Sequence, residues 1–209
     1  MDSFRLLAGG SLTGTLDGGL APARQGNWLD YSGLTSAVTV NLQAGAATGV
    51  AGGAAGKVAH IQNVHGGNGG NTLTGNSQGN ILIGGTGSDK LIGGSGRSIL
   101  IGDAGSDTVT GGSGSDILIA GTTSYDQDPT ALAAILNLWA NTSNSYAARV
   151  AAVMSSSFQY HLDTTTVFHH SGAPDRLTGG PGLSLFFAHI GGTTGDTTNA
   201  RTGETVVQI

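Results

Sequence analysis

The chain has 209 residues, 38 of them glycine and none cysteine; 10% are charged, with 8 Lys and Arg against 13 Asp and Glu. Glycine at more than twice its ordinary ~7%, with charge at less than half the ordinary ~25%, argues against a charge-expanded disordered segment, and a net charge of −5 without a basic run argues against nucleic-acid binding. The missing cysteines exclude disulfides and thiolate metal sites, no apolar run approaches the ~18 residues of a membrane helix, and the start "MDSFRLLAGG" shows no secretory leader.

In chain order, "GSLTGTLDGGL" (10–20) has turn-and-strand texture in poor register, and "NWLDYSGLTSAVTVNLQAGAATG" (27–49) and "HIQNVHGG" (60–67) read as strands leading into a glycine-rich repeat. From Gly66 the chain runs in nonads without a gap: "GGNGGNTLT", "GNSQGNILI", "GGTGSDKLI", "GGSGRSILI", "GDAGSDTVT", "GGSGSDILI", ending at Ile119. Position 8 is always aliphatic: Leu73, Leu82, Leu91, Leu100, Val109 and Leu118. The last three residues of each unit alternate out, in, out, as a short strand does. The first six are glycine-rich, which predicts a turn with φ > 0. One unit buries one apolar side chain and cannot fold alone, whereas stacked units share a continuous core.

This Gly-Gly-x-Gly-x-Asp-x-apolar-x repeat resembles that of the repeats-in-toxin (RTX) calcium proteins. The flanking segments, including "ILIAGTTSYD" and "RLTGGPGLSLFFA", look like those of large RTX-type surface proteins of planctomycete-like bacteria, so the likeness covers roughly residues 27–190. It implies an all-β fold, a right-handed parallel β-roll (solenoid) in which two nonads form one coil. It also implies calcium between stacked turns and an extracellular or cell-surface location. Alternate nonads then lie on one edge. Edge one carries Asn71, Asp89 and Asp107 at position 6; edge two carries Asn80, Ser98 and Asp116. Calcium takes six to eight oxygens, with carboxylates balancing its charge. Asp89 and Asp107 are the expected shared pair, with Asn71 and Asp89 as a weaker site and Asp103 as a further oxygen donor. Edge two has Ser98 beside Arg97 and is expected to be metal-free, unless Asp116 finds a later partner, for which Asp175 is the candidate.

The outward positions differ between the two sheets. One shows Thr72, Thr74, Lys90, Ile92, Thr108 and Thr110; the other shows Ile81, Ile83, Ile99, Ile101, Ile117 and Ile119. Such an apolar face needs a cover. A helical hairpin is one candidate: Asp128 as N-cap and Pro129 at N1 open a helix bearing Leu132, Ile135, Leu136 and Trp139, and Tyr146, Val150 and Val153 mark a second helix. A partner subunit is the other. "PDRLTGGPGLSLFF" then resumes the rhythm, with Ser184 where an aspartate would stand, and "ETVVQI" closes or extends the stack. The resulting division is 1–65 lead-in strands, 66–128 nonapeptide roll, 129–158 helical insertion, and 159–209 resumed roll with closing strands.

Other chemistry fares poorly. His60, His65, His161 and His189 show no ligand spacing, and the adjacent His169 and His170 are expected to face opposite sides of a strand. No nucleophile-elbow context surrounds the serines. Asp128–Pro129 resembles the bond cut in self-processing RTX modules, but helix initiation explains it. Lys90 and Ile92 break up the threonine face that an ice-binding solenoid would need. The reading is a non-enzymatic, calcium-stabilised structural or adhesive protein. Its expected partners are further copies of itself, head to tail, and a cell-surface or matrix polysaccharide. The alternative is a calcium-triggered folding and secretion module at the C-terminus of a larger enzyme or adhesin; a natural start at Met1 would favour the free-standing unit.

Overall fold

The computed structural model describes residues 1–20, 25–170, 173–193 and 195–209. Strands of two to five residues build two main sheets. The first runs, in spatial order, Ser3–Arg5, Trp28–Asp30, Asn63–His65, Ile81–Gly85, Ile99–Asp103, Ile117–Ile119, Leu185–Ala188, Thr205–Gln208, every neighbour parallel. The second runs Thr197–Thr198, Arg176–Thr178, Thr108–Thr110, Lys90–Ile92, Thr72–Thr74, Thr39–Asn41, again parallel, and ends on the antiparallel Ala46–Ala47.

The nonad arithmetic sets the register. Leu73, Leu91 and Val109 align in the second sheet, and Leu82, Leu100 and Leu118 in the first. All six are fully buried in one cluster between the sheets. The rhythm resumes after the insertion: Leu177 aligns with Val109 and Phe186 with Leu118. Phe186 thus continues the inner column, and Thr205–Gln208 adds the next strand. The N-terminal "LD" at Leu16–Asp17 lies outside both main sheets and pairs with Val58–Ala59.

The isoleucine face is covered from within the chain. Helix α1 (Pro129–Trp139) is capped by Asp128, whose carboxylate accepts from the Thr130 and Ala131 amides at 3.0 Å each. Helix α2 (Tyr146–Val153) is capped by Ser145. Leu132, Ile135, Trp139 and Val153 join all six isoleucines in a second cluster, together with Leu162 and Val167 from beyond the helices. Each isoleucine is fully buried. At ~1.5–3 kcal/mol per side chain, the cover is worth on the order of 10 kcal/mol as an upper figure. No partner subunit is needed for it. Trp139 also ties α1 to the turns, its Nε1 donating to the Ser115 carbonyl at 2.7 Å.

The glycines have a different cause from the one expected. Within the nonads only Gly79, Gly85 and Gly105 have φ in the left-handed range. Elsewhere the need is closeness between coils: a Cβ on Gly102 would stand 2.6 Å from Asp107 Oδ2 and 2.8 Å from the Ala120 carbonyl. The turns stack too tightly for side chains.

Candidate metal centre

Position 6 ends each turn, and its side chain reaches back along the stack. On edge one the Oδ1 of each residue accepts the backbone amide of its counterpart in the preceding coil: Asp89 from Asn71 at 2.6 Å, Asp107 from Asp89 at 2.7 Å, Asp175 from Asp107 at 2.6 Å, and Asp196 from Asp175 at 2.8 Å. On edge two Ser98 accepts from Asn80 at 3.1 Å, Asp116 from Ser98 at 2.8 Å, Ser184 from Asp116 at 3.3 Å, and Glu204 from Ser184 at 3.0 Å. Both edges therefore use position 6 to satisfy amides that the turns would otherwise bury unpaired.

The edges differ in what remains. On edge one the Oδ2 atoms of Asp89, Asp107 and Asp175 are buried without a hydrogen-bond partner. Each of these residues is at most 3% exposed. The space beside them holds more oxygen: a Cβ on Gly84 would meet both Asp89 Oδ2 and the Gly102 carbonyl, and Gly102 faces the Asp107 Oδ2 and Ala120 carbonyl pair. Both neighbours of each such point are acceptors, and no hydrogen bond reaches either Oδ2. A divalent cation satisfies both, so the residues of edge one fit calcium. Among the described residues no three His, Cys, Asp or Glu side chains group as a metal site; a cation here would draw the rest of its shell from backbone carbonyls.

On edge two the same position is self-sufficient. Asp116 Oδ2 accepts the Gly112 amide at 2.9 Å. Asn80 accepts from Asn76 and donates to the Gln62 carbonyl. Asn71 on edge one is equally satisfied: its Oδ1 accepts from Val38, and its Nδ2 donates to the carbonyls of Gly67 at 2.9 Å and Gly84 at 3.0 Å. An amide nitrogen stands where the aspartates place a bare oxygen. The weaker site expected between Asn71 and Asp89 therefore has no free oxygen from Asn71. The expected pairing of Asp116 with Asp175 also fails: Asp175 stacks on Asp107, and Ser184 stacks on Asp116. Restarting the repeat after the insertion puts Asp175 back on edge one.

Burial raises carboxyls on both edges: Asp116 on edge two is pushed up to about 6, as Asp89 is, and edge one differs in the like charges stacked along it. Burial pushes the Asp107 carboxyl up to about 8; the Asp89 amide opposes this, and the charges of Asp175, Asp89 and Asp103 add to it. Burial pushes Asp89 up to about 6 and raises Asp175 as well. Asp103 takes the second turn position at φ 73°, in register with Gly85, and its carboxyl is also raised by burial. Asp89, Asp107 and Asp175 thus follow one another along one edge, the charge of Asp103 is felt by Asp89 and Asp107, and Asp116 lies on the other edge.

Two neighbours were not legible in the sequence. Asp196 extends the ladder but sits 21 residues past Asp175, outside the 18-residue beat. His170 bonds the Gly105 carbonyl through Nε2 at 2.7 Å and places Nδ1 3.9 Å from Asp175 Oδ2. His169 and His170 do not face opposite ways. They come after the strand Val167–Phe168 with ring centroids 5.6 Å apart, and His189 stacks on His169 at 4.3 Å. Strand alternation does not apply past the strand's end.

No curated protein matches the chain. Residues 65–100 and 92–122 match the family described as "RTX calcium-binding nonapeptide repeat (4 copies)", so the stretch that carries Asp89 and Asp107 is built of RTX-type repeats, a calcium-binding class.

Proposed function

We propose that this chain is a right-handed parallel β-roll stabilised by calcium, displayed outside the cell as a non-enzymatic structural or adhesive element. The observation that carries the reading is the stack of buried, unpartnered carboxylate oxygens of Asp89, Asp107 and Asp175 on one edge only. In this reading a cation sits between two stacked neighbours, Asp89 with Asp107 or Asp107 with Asp175, and backbone carbonyls complete its shell, with Asp103 beside them. Calcium supplies the positive charge that lets buried carboxylates stay ionised; the chain supplies the oxygens and the spacing. In this reading residues 66–128 and 159–209 form the calcium-dependent body, residues 1–65 lead into it, and residues 129–158 are its cover.

Head-to-tail association is part of the proposal. Among the described residues the exposed large apolar side chains are Met1, Leu7, Leu12 and Leu20 near one end of the chain, and Phe168, Leu183, Ile190 and Val206 in its last quarter. Ser3–Arg5 and Thr205–Gln208 are the two outer strands of one parallel sheet, and an outer strand offers unpaired backbone groups to another copy. Such a contact does not close and builds a filament.

A chelator titration followed by circular dichroism and light scattering tests both parts. Strand signal and particle size should fall together as calcium is removed and return when it is added. Deleting residues 204–209 should leave the calcium-dependent strand signal and abolish growth in particle size. A strand signal indifferent to calcium overturns the metal reading, and a monomer at high concentration with calcium overturns the filament.

A further inference from the structure

Edge two, which has no use for a cation, carries a second feature. Three adjoining depressions of about 440, 310 and 410 Å³ share Gln78 in their linings. They run over the turns at His60–Gln62, Gln78, Gly96, Gly114 and Gly182, five levels of the stack. At ~4.8 Å between neighbouring strands the groove is about 19 Å long.

Its chemistry is distinctive in a chain where acids outnumber bases. Among the described residues none of the three linings includes an Asp or Glu. The walls include Gln78 and Asn137 in one part and Ser113 and Thr142 in another; Gln62 is already engaged, its Oε1 accepting the Asn27 amide at 2.7 Å and its Nε2 donating to Gln78 Oε1 at 3.4 Å. Arg97 stands where two of the depressions meet. Its one hydrogen bond among the described residues runs from a terminal nitrogen to the Ala140 carbonyl at 3.2 Å, at the C-terminus of α1. That uses one of five N–H donors, and Arg97 has no ion pair among the described residues. A second guanidinium lies behind it: Arg149, nearly buried, stands over Trp139 at 5.1 Å and feels the charge of Arg97, while at the far end of the groove His60 pairs with Asp17 at 2.6 Å.

We propose that this groove binds a linear acidic polysaccharide, with Arg97 receiving a uronate carboxylate and the amides and hydroxyls on either side receiving ring hydroxyls. Sugar hydroxyls both donate and accept, as do carboxamides and hydroxyls, and a guanidinium fork matches a carboxylate in shape. A single-stranded nucleic acid would need aromatic platforms and a cation for most phosphates; among the described residues the linings contain no Phe, Tyr or Trp and one arginine. The proposal deepens the adhesive reading and rests on it for its biological sense. The groove itself uses none of the edge-one aspartates.

The test uses the full chain in calcium buffer, on a printed array of linear uronate-bearing oligosaccharides beside their carboxyl-reduced counterparts, followed by calorimetry with the best binder. The uronate form should bind, and reduction should weaken it roughly tenfold or more, as loss of a charged hydrogen-bonded pair does. Arg97→Ala should weaken binding by a similar factor with an unchanged circular dichroism spectrum, Arg97→Lys should restore part of it, and Lys90→Ala on the other sheet should change nothing. Gln78→Ala should weaken binding several-fold, and keeps the test open if Arg97→Ala does not fold. Binding to none of the uronate glycans, equal binding of the reduced forms, or tighter binding of an oligothymidylate overturns the proposal. A folded, calcium-responsive protein that ignores acidic glycans sinks this inference alone. One that binds them but ignores calcium sinks the metal reading alone.

Discussion

Raising the pH of the metal-free protein should unfold it, and calcium should reverse the trend. The buried carboxyls of Asp89 and Asp107 have folded-state pKa values of about 6 and about 8, against an ordinary 3.8. A folded pKa above the unfolded one means that the folded chain binds more protons between the two values. Their contribution is therefore fully present below about pH 4, and is lost as pH rises through about 6 for Asp89 and about 8 for Asp107. At ~1.4 kcal/mol per pKa unit, the displacement of Asp89 alone is ~3 kcal/mol, and that of Asp107 is larger. The two carboxyls interact, so their effects do not simply add. A loss of at least ~3 kcal/mol is still a large part of the ~5–15 kcal/mol that holds an ordinary domain together.

The assay is urea unfolding of protein stripped on a chelating resin, at pH values from about 5 to about 8.5, a window that brackets both carboxyls, with and without millimolar calcium. Without metal the midpoint should fall steadily across this window. With calcium it should hold or rise, because the ion binds the ionised form. Calorimetry in two buffers of different ionisation enthalpy should show protons released on calcium binding near neutral pH. A flat metal-free profile, or calcium binding without proton release, would falsify the claim that these carboxyls are buried without charge partners.

Single contacts give further expected outcomes. Ser98→Ala strips the acceptor from the buried Asn80 amide and should cost about 1–3 kcal/mol in urea melts, while calorimetric calcium affinity stays unchanged. Ile99→Lys puts a charge at a fully buried position beneath α1 and should cost roughly 4 kcal/mol or prevent folding; an unchanged thermal melt would mean that the helices do not cover the sheet. Asp103→Gly relieves a left-handed backbone at φ 73° and removes a charge that raises Asp107. It should stabilise the metal-free protein by about 1 kcal/mol and weaken calcium binding several-fold; a gain in both measurements would exclude Asp103 from the cation's surroundings.

What the sequence shows of this molecule depends on how local its cause is. The nonad beat fixes the strand register because position 8 must be apolar for the core to be continuous, and a beat is visible one residue at a time. The helix starts are just as local, since Asp128 and Ser145 cap the next turn of their own chain. The metal edge is only half legible. Aspartate at position 6 can be read, but Asp116 and Asp107 look alike until the Gly112 amide is seen to satisfy Asp116 Oδ2 and no donor to reach Asp107 Oδ2. Asp175 reads as the later partner of Asp116 and stacks on Asp107 instead, because the number of residues in the insertion does not reveal where the repeat restarts. The glycines teach the same lesson from the other side: their spacing is plain in the sequence, yet for most of them the cause is a carbonyl one coil away rather than their own φ. Stacking at that distance also makes the two edges chemically separate. Each position-6 residue answers only to its neighbours above and below, so one edge can collect unpaired carboxylates while the other, one strand away, closes its hydrogen bonds and leaves Arg97 free to face solvent.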